Sequence, residues 1–369
     1  PTASYFYNNL GRIYHKQNRF IEAEIELKNA IKLEPNDARL HNDLGNVYSS
    51  QNKLDEAAYE YKQAIQLDSN NVTFHNNLGR IYYRQNRFNE AEVELKIGIK
   101  LEPSIASAHN DLGDVYNSQS KINEAEVEYK TAINLEPNES SYHSNLGWIY
   151  YNQNKLNEAI KEFEIAVRFN PNIAIYHCNI AWTYYMQKRF CEAENEYKCA
   201  IQLEPDYASY YYELGLTYSS QNKLEVAENE YKTAIKLEPN NAKFVNALGC
   251  LYFSQNRFNE SENEYKTAIN LDSKNHLFYS NLGSAYFNQS KLDEAAREFE
   301  KAIQLEPNEF SYHNWLGWVY FNQKKFNESE SEYKRAIQLQ SNNANCHFNL
   351  GRAYFNQSKL DEAAREFEK

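Results

Sequence analysis

Apolar and polar positions along this chain alternate on two helical rhythms separated by short polar breaks. Phe74, Leu78, Ile81 and Tyr82 recur at spacings of four, three and one, which places them on one face of a helix, termed helix A. Ala91, Leu95, Gly98 and Ile99 form a second apolar face of the same kind, helix B. Between them lie Gln85 and Asn86, and asparagine tolerates the left-handed conformation that ends a helix, so helix A is predicted to stop there. Asn18, Asn52, Asn154, Asn222 and Asn256 occupy the equivalent point. Asn89 followed by Glu92 reads as a capping box opening helix B, repeated by Asn123 with Glu126 and Asn259 with Glu262. Pro103 ends the unit, because it has no amide with which to continue a helix.

The stretch Gly79 to Pro103 recurs along the chain at multiples of 34 residues. Its glycine returns as Gly11, Gly45, Gly113, Gly147, Gly215, Gly249, Gly283, Gly317 and Gly351, with Ala181 in the one gap. A glycine inside a helix costs about 1 kcal/mol against alanine, so close approach of helix B is the expected reason for it. Ala23, Ala57, Ala91, Ala125, Ala159, Ala193, Ala227, Ala295 and Ala363, with Ser261 and Ser329, keep the facing site small. Tyrosine fills another site in every copy, from Tyr14 and Tyr48 to Tyr354, and is expected to be a packed ring with a hydrogen-bonded hydroxyl. The fold class that follows is all-α, a solenoid of stacked helical hairpins.

Leu-Gly, then Tyr, Ala, Tyr or Phe, Ala and Pro at this period resembles the tetratricopeptide repeat family over the whole chain. The resemblance implies a right-handed superhelix with helix A lining the concave side and helix B the convex side. Residues 1–369 are accordingly expected to form a single array of about eleven repeats, truncated at both ends, since Pro1 lies 34 residues before Pro35 and Lys369 falls inside a helix B.

Composition adds exclusions. The net charge of −12 gives no basic footprint for nucleic acid, and Arg19, Lys53, Arg87, Lys121, Lys155, Arg189 and Lys223 fall one per turn, as in a solvated rim. No apolar run is long enough to span a bilayer. Phosphate loops, nucleophile elbows and HExxH are absent from the sequence, so no catalytic residue and no cofactor is expected.

His41, His75, His109, His143, His177, His313 and His347 form a ladder. Equivalent side chains of stacked helices stand roughly 8 to 10 Å apart, whereas a metal needs convergent ligands, so the ladder is read as structural and no metal is assigned. Cys178, Cys191, Cys199, Cys250 and Cys346 include no C-x-x-C pair and read as reduced thiols. Sequons occur at Asn71, Asn138, Asn259, Asn288, Asn327 and Asn356, informative only for a secreted chain.

The A face that the resemblance turns inward carries the candidate site. One position reads Asn9, Asp43, Asn77, Asp111, Asn145, Asn179, Glu213, Ala247, Asn281, Trp315 and Asn349. It resembles the asparagine ladder of O-linked N-acetylglucosamine transferase repeats, which implies a grip on the backbone of an extended peptide, for which a carboxamide has both donor and acceptor. The lysine that a carboxylate clamp needs is missing, with Asn8, Asn42, Asn76, Asn110, Ser144 and Cys178 at that point. Trp148, Trp182, Trp315 and Trp318 share the face with Tyr151, Tyr185, Phe253, Phe287, Phe321 and Phe355, a composition typical of binding hot spots.

Three expectations follow. The chain is a non-catalytic scaffold binding a protein or extended peptide, with Asn77, Asn145 and Asn179 on the backbone and Trp148 and Trp182 as anchors. Alternatively, it is the repeat region of a larger glycosyltransferase-like enzyme, or a segment of a fibre that stacks on itself end to end. A scaffold would be cytoplasmic and a fibre extracellular.

Overall fold

The structure, a computed structural model, describes residues 3–369 and contains, among them, twenty-two helices and no strand. One repeat is the pair Val72–Arg84 and Phe88–Leu101, helices A and B as expected. The chain divides into two compact units, Pro1–Thr183 and Tyr184–Lys369. In the first unit the A helices Val72–Arg84, Ala106–Ser118 and Ser140–Asn152 lie side by side. In the second, Ala242–Ser254 touches His276–Asn288, and Phe310–Asn322 touches Ala344–Asn356.

Asn86 has φ of 57° and Asn18, Asn52, Asn154, Asn222 and Asn256 lie between 58° and 60°, the left-handed stop expected of them. The Arg87 amide then donates to Tyr82 O at 2.8 Å, closing a Schellman turn. Ser120, Lys188, Ser290, Lys324 and Ser358 take the same conformation, although the side-chain branch of an L residue is strained there. Lys324→Asn is therefore expected to stabilise the second unit by about 0.5–1 kcal/mol in urea unfolding. Lower stability would mean that the lysine is held there by something other than the turn.

The capping box at Asn89 is not formed. Helix B starts at Phe88 with Arg87 at its cap and no side-chain capping bond, because the left-handed residue already fixes the path of the chain. Capping side chains sit at the A helices instead, where Asp37, Asn71, Asn241 and Asn275 accept amides of the first turn. Glu92 is used between repeats, accepting Lys96 Nζ at 2.7 Å and Lys121 Nζ at 2.9 Å.

The glycines have no left-handed backbone, so their reason is steric. A Cβ on Gly147 would lie 2.6 Å from Phe163 Cε1, on Gly113 2.7 Å from Tyr129 Cε1, and on Gly79 2.7 Å from Leu95 Cγ. The socket thus admits the side chain one turn beyond the facing alanine. Close approach is confirmed, but the group that approaches is chiefly a ring or a leucine.

The basic residue of each turn is not merely a solvated rim. Lys53 Nζ stands 5.4 Å from the Tyr48 ring and Arg87 Cζ 4.3 Å from the Tyr82 ring, cation–π contacts that cover the repeated tyrosine. Lys53 also meets Glu24 of the preceding repeat at 3.1 Å, beside Lys28 at 2.7 Å and Gln51. Tyrosine hydroxyls complete the clamp, that of Tyr252 donating to Glu228 at 3.0 Å.

This clamp has a pH signature. Partial burial pushes Glu24, Glu92, Glu194, Glu228, Glu262 and Glu330 up, but hydrogen bonds from the paired basic residues outweigh it and hold each at about 2. A folded-state pKa below the unfolded one contributes stability that is complete above the ordinary carboxylate range and lost as pH falls toward 2. Asp114 and Glu213 act oppositely, since burial raises both to about 6, so their contribution is present below about 4 and lost as pH rises through 6. Thermal melts from pH 3 to 8 are expected to peak near pH 5, fall gently to pH 7 and fall steeply below pH 4. A flat acid limb would contradict the clamp.

Candidate functional site

The ladder asparagines tie neighbouring A helices together. Asn77 Nδ2 donates to Asn42 Oδ1 at 2.9 Å, Asn145 to Asn110 at 2.9 Å, Asn281 to Asn246 at 2.9 Å and Asn349 to Asn314 at 3.2 Å. Each bond reaches back 35 residues, so one donor of every such amide is committed inside the protein. Asn179 is only 3% exposed. Turning its carboxamide so that Oδ1 accepts from Trp148 Nε1 at 3.2 Å and Nδ2 donates to Ile175 O at 3.2 Å satisfies both ends. It therefore presents nothing to a partner. Asn9 lies half-buried in an open polar pocket of about 360 Å³ with Arg12, Arg39 and Asp43.

Where the ladder carries aspartate, arginine meets it. Arg12, the residue after Gly11, pairs with Asp43 at 3.9 Å, and Arg80, after Gly79, pairs with Asp111. Burial pushes both carboxyls up and the arginines oppose it. Glu213, in the second unit, is half-buried at the ladder position, with Lys243 as its opposing charge.

The aromatic face divides into two groups. In the first unit Trp148 packs edge-on to Tyr151 at 5.2 Å and to Phe163 at 5.8 Å, and Trp182 Nε1 donates to the Tyr151 hydroxyl at 2.7 Å. These rings are half-buried and largely engaged with one another. In the second unit the Tyr185 hydroxyl meets Ser220 Oγ at 3.2 Å. Further along it, Trp315 is 37% exposed, Phe348 54% and Phe355 62%. Trp315 stacks parallel on Phe299 at 6.0 Å and meets Phe287 at 6.1 Å, while Trp318 stacks on Phe321 at 5.5 Å. Arg352 Cζ lies 4.8 Å from both the Trp318 and Phe321 rings. Neither Arg352 nor Phe348 is singled out by sequence reasoning. The signal was available in the lattice, since Arg352 follows Gly351 as Arg12 follows Gly11.

Six of the seven ladder histidines are structural pairs, whereas the seventh, His177, gathers with Glu196 and Cys199 so that one ligand atom of each lies within 4.8 Å of the others, its Nε2 3.2 Å from Pro171 O. His41, His75, His109, His143, His313 and His347 each bring Nδ1 to within 2.6–2.7 Å of a glutamate nineteen residues on. Their Nε2 atoms face a backbone carbonyl six residues back. Among the described residues no cysteine is in a disulfide. Asn71 is a helix cap, and at Asn259 and Asn327 the sequon serines Ser261 and Ser329 are wholly buried. No helix among the described residues is long and apolar enough to cross a membrane.

Residues 108–347 match the family model described as Cilia and flagella-associated protein 70 C-terminal domain. Models described as TPR repeat match 11–51 and 45–86, and models described as Tetratricopeptide repeat match 72–105 and 332–365. Among solved structures, yeast Tom70 is similar at 15% identity and a TM-score of 0.50, over 99% of this chain and 91% of that one. The APC/C hetero-tetramer Cut9-Hcn1 is similar at 12% identity and a TM-score of 0.50, over 96% of each chain. Both likenesses are of fold. No curated protein matches.

Proposed function

The chain belongs to the family of the Cilia and flagella-associated protein 70 C-terminal domain, a tetratricopeptide repeat family, and from that premise we propose that it is a non-catalytic scaffold binding a protein segment along its A-helix face. The fold is typical of protein-interaction modules. The observation that carries the reading is the run Phe287, Trp315, Trp318 and Phe321 on two successive A helices, with Trp315 open to solvent. Large rings at a surface cost solubility unless a partner covers them, and tryptophan is the residue most enriched in binding hot spots. The anchoring role that the sequence assigns to Trp148 and Trp182 passes to this group, because the first pair is spent on internal contacts. Asparagines 77, 145, 281 and 349 keep adjacent helices in register and leave a carbonyl oxygen for the partner.

Selection of peptides from a displayed library against the full chain tests this. Binders should be lost on Trp315→Ala and kept on Tyr59→Ala, whose ring is 60% exposed on a B helix. Binders that ignore Trp315→Ala and fail on Tyr59→Ala would refute it.

A further inference from the structure

We infer that His177, Glu196 and Cys199 form a binding site for a zinc-like divalent ion, held by one imidazole, one carboxylate and one thiolate with a fourth position open to solvent. Three observations converge. First, one ligand atom of each residue lies within 4.8 Å of the other two, a spread that small side-chain rotations close onto a single ion with bonds of about 2.0–2.3 Å. Second, the His177 ring is already oriented. Its Nε2 faces Pro171 O at 3.2 Å, and because a carbonyl oxygen only accepts, Nε2 carries the hydrogen and Nδ1 is the nitrogen left for a metal. Third, the thiol is particular to this hairpin. Cys199 stands three residues after Glu196, where the six other ladder hairpins carry Gln63, Ile97, Thr131, Ile165, Arg335 and Lys369.

The convergence follows from the hairpin. His177 lies on the A helix Ala174–Met186, and Glu196 and Cys199 lie on the B helix Phe190–Leu203 at a spacing of three, which puts them on one face. The helix spacing that holds histidines of successive hairpins apart does not separate groups within one hairpin. In the other six pairs a single hydrogen lies between the imidazole nitrogen and the carboxylate. Here a sulfur joins them, and a divalent ion can take the place of that hydrogen. Thiolate with imidazole selects zinc or cobalt over calcium and magnesium, which take oxygen ligands. All three residues are half-buried, so the ion has a path from solvent. On binding, the Cys199 thiol gives its proton to solvent and the sulfur binds as thiolate.

The test is titration of the full chain, stripped of metal by a chelator and kept reduced, with cobalt(II) chloride, because a thiolate on cobalt gives an intense sulfur-to-metal charge-transfer band. The band should saturate at a single equivalent per chain and vanish when zinc is added. Cys199→Ser should abolish it, while thermal melts of the metal-free protein stay close to wild type. His177→Gln should weaken cobalt binding at least about tenfold, since even an outer partner of a metal ligand is worth that much. His143→Gln, in the hairpin with Ile165 at the place of the thiol, should leave binding unchanged. Zinc should raise the thermal midpoint of the wild-type chain and leave that of Cys199→Ser where it was. Absence of the band, or a band that survives Cys199→Ser, would overturn the site.

Discussion

Phe163→Ala is expected to lower the unfolding free energy by about 3–5 kcal/mol. The ring is fully buried, fills the socket at Gly147 and supports Trp148 at 5.8 Å, so its removal loses burial and leaves a void that helices held on both sides cannot close. The informative variant is the second one. Gly147→Ala alone places a Cβ 2.6 Å from a rigid ring edge, and overpacking of about 1–3 kcal/mol should exceed the gain of about 1 kcal/mol in helix propensity. In the Phe163→Ala background the same methyl enters vacated space, and both effects then favour it. Urea unfolding of the four proteins should give a coupling in which Gly147→Ala changes sign from destabilising to stabilising. Equal destabilisation in both backgrounds would show that the glycine answers to something other than the ring. Gly283, where the nearest ring atom of Phe299 is at 3.0 Å, should tolerate alanine better than Gly147.

Trp315→Ala is expected to weaken selected peptides at least about 30-fold, the roughly 2 kcal/mol that marks a hot spot. The ring is 37% exposed and rests flat on Phe299, a rigid anchor already placed before a partner arrives. Because much of it is open, the midpoint of thermal unfolding should move little. A large fall in stability with unchanged affinity would assign Trp315 to packing alone.

The repeat made much of this legible from residues alone. Asparagine at the left-handed stop, glycine opposite a small residue and the histidine ladder all follow from rules that act within one hairpin. What stayed hidden depends on the neighbouring hairpin. Lys53 reads as solvated until Tyr48 and Glu24 are seen beside it, and Asn77 reads as a free peptide grip until Asn42, 35 residues back, takes its donor. The capping box failed for a different reason: a left-handed residue two positions before Phe88 fixes the turn and leaves Asn89 inside the helix. The sequence also marks the aromatic A face without grading it, because only packing separates the engaged Trp148 from the open Trp315.

Hydroxyl-radical footprinting of the full chain, with and without a saturating selected peptide, tests the central claim most directly, since it reads side-chain accessibility residue by residue. Protection should be confined to Trp315, Trp318, Phe321 and their neighbours on the A helices, with Tyr59 and Val226 on B helices unchanged. Protection of Tyr59 or Val226 with Trp315 and Trp318 unaltered would contradict it.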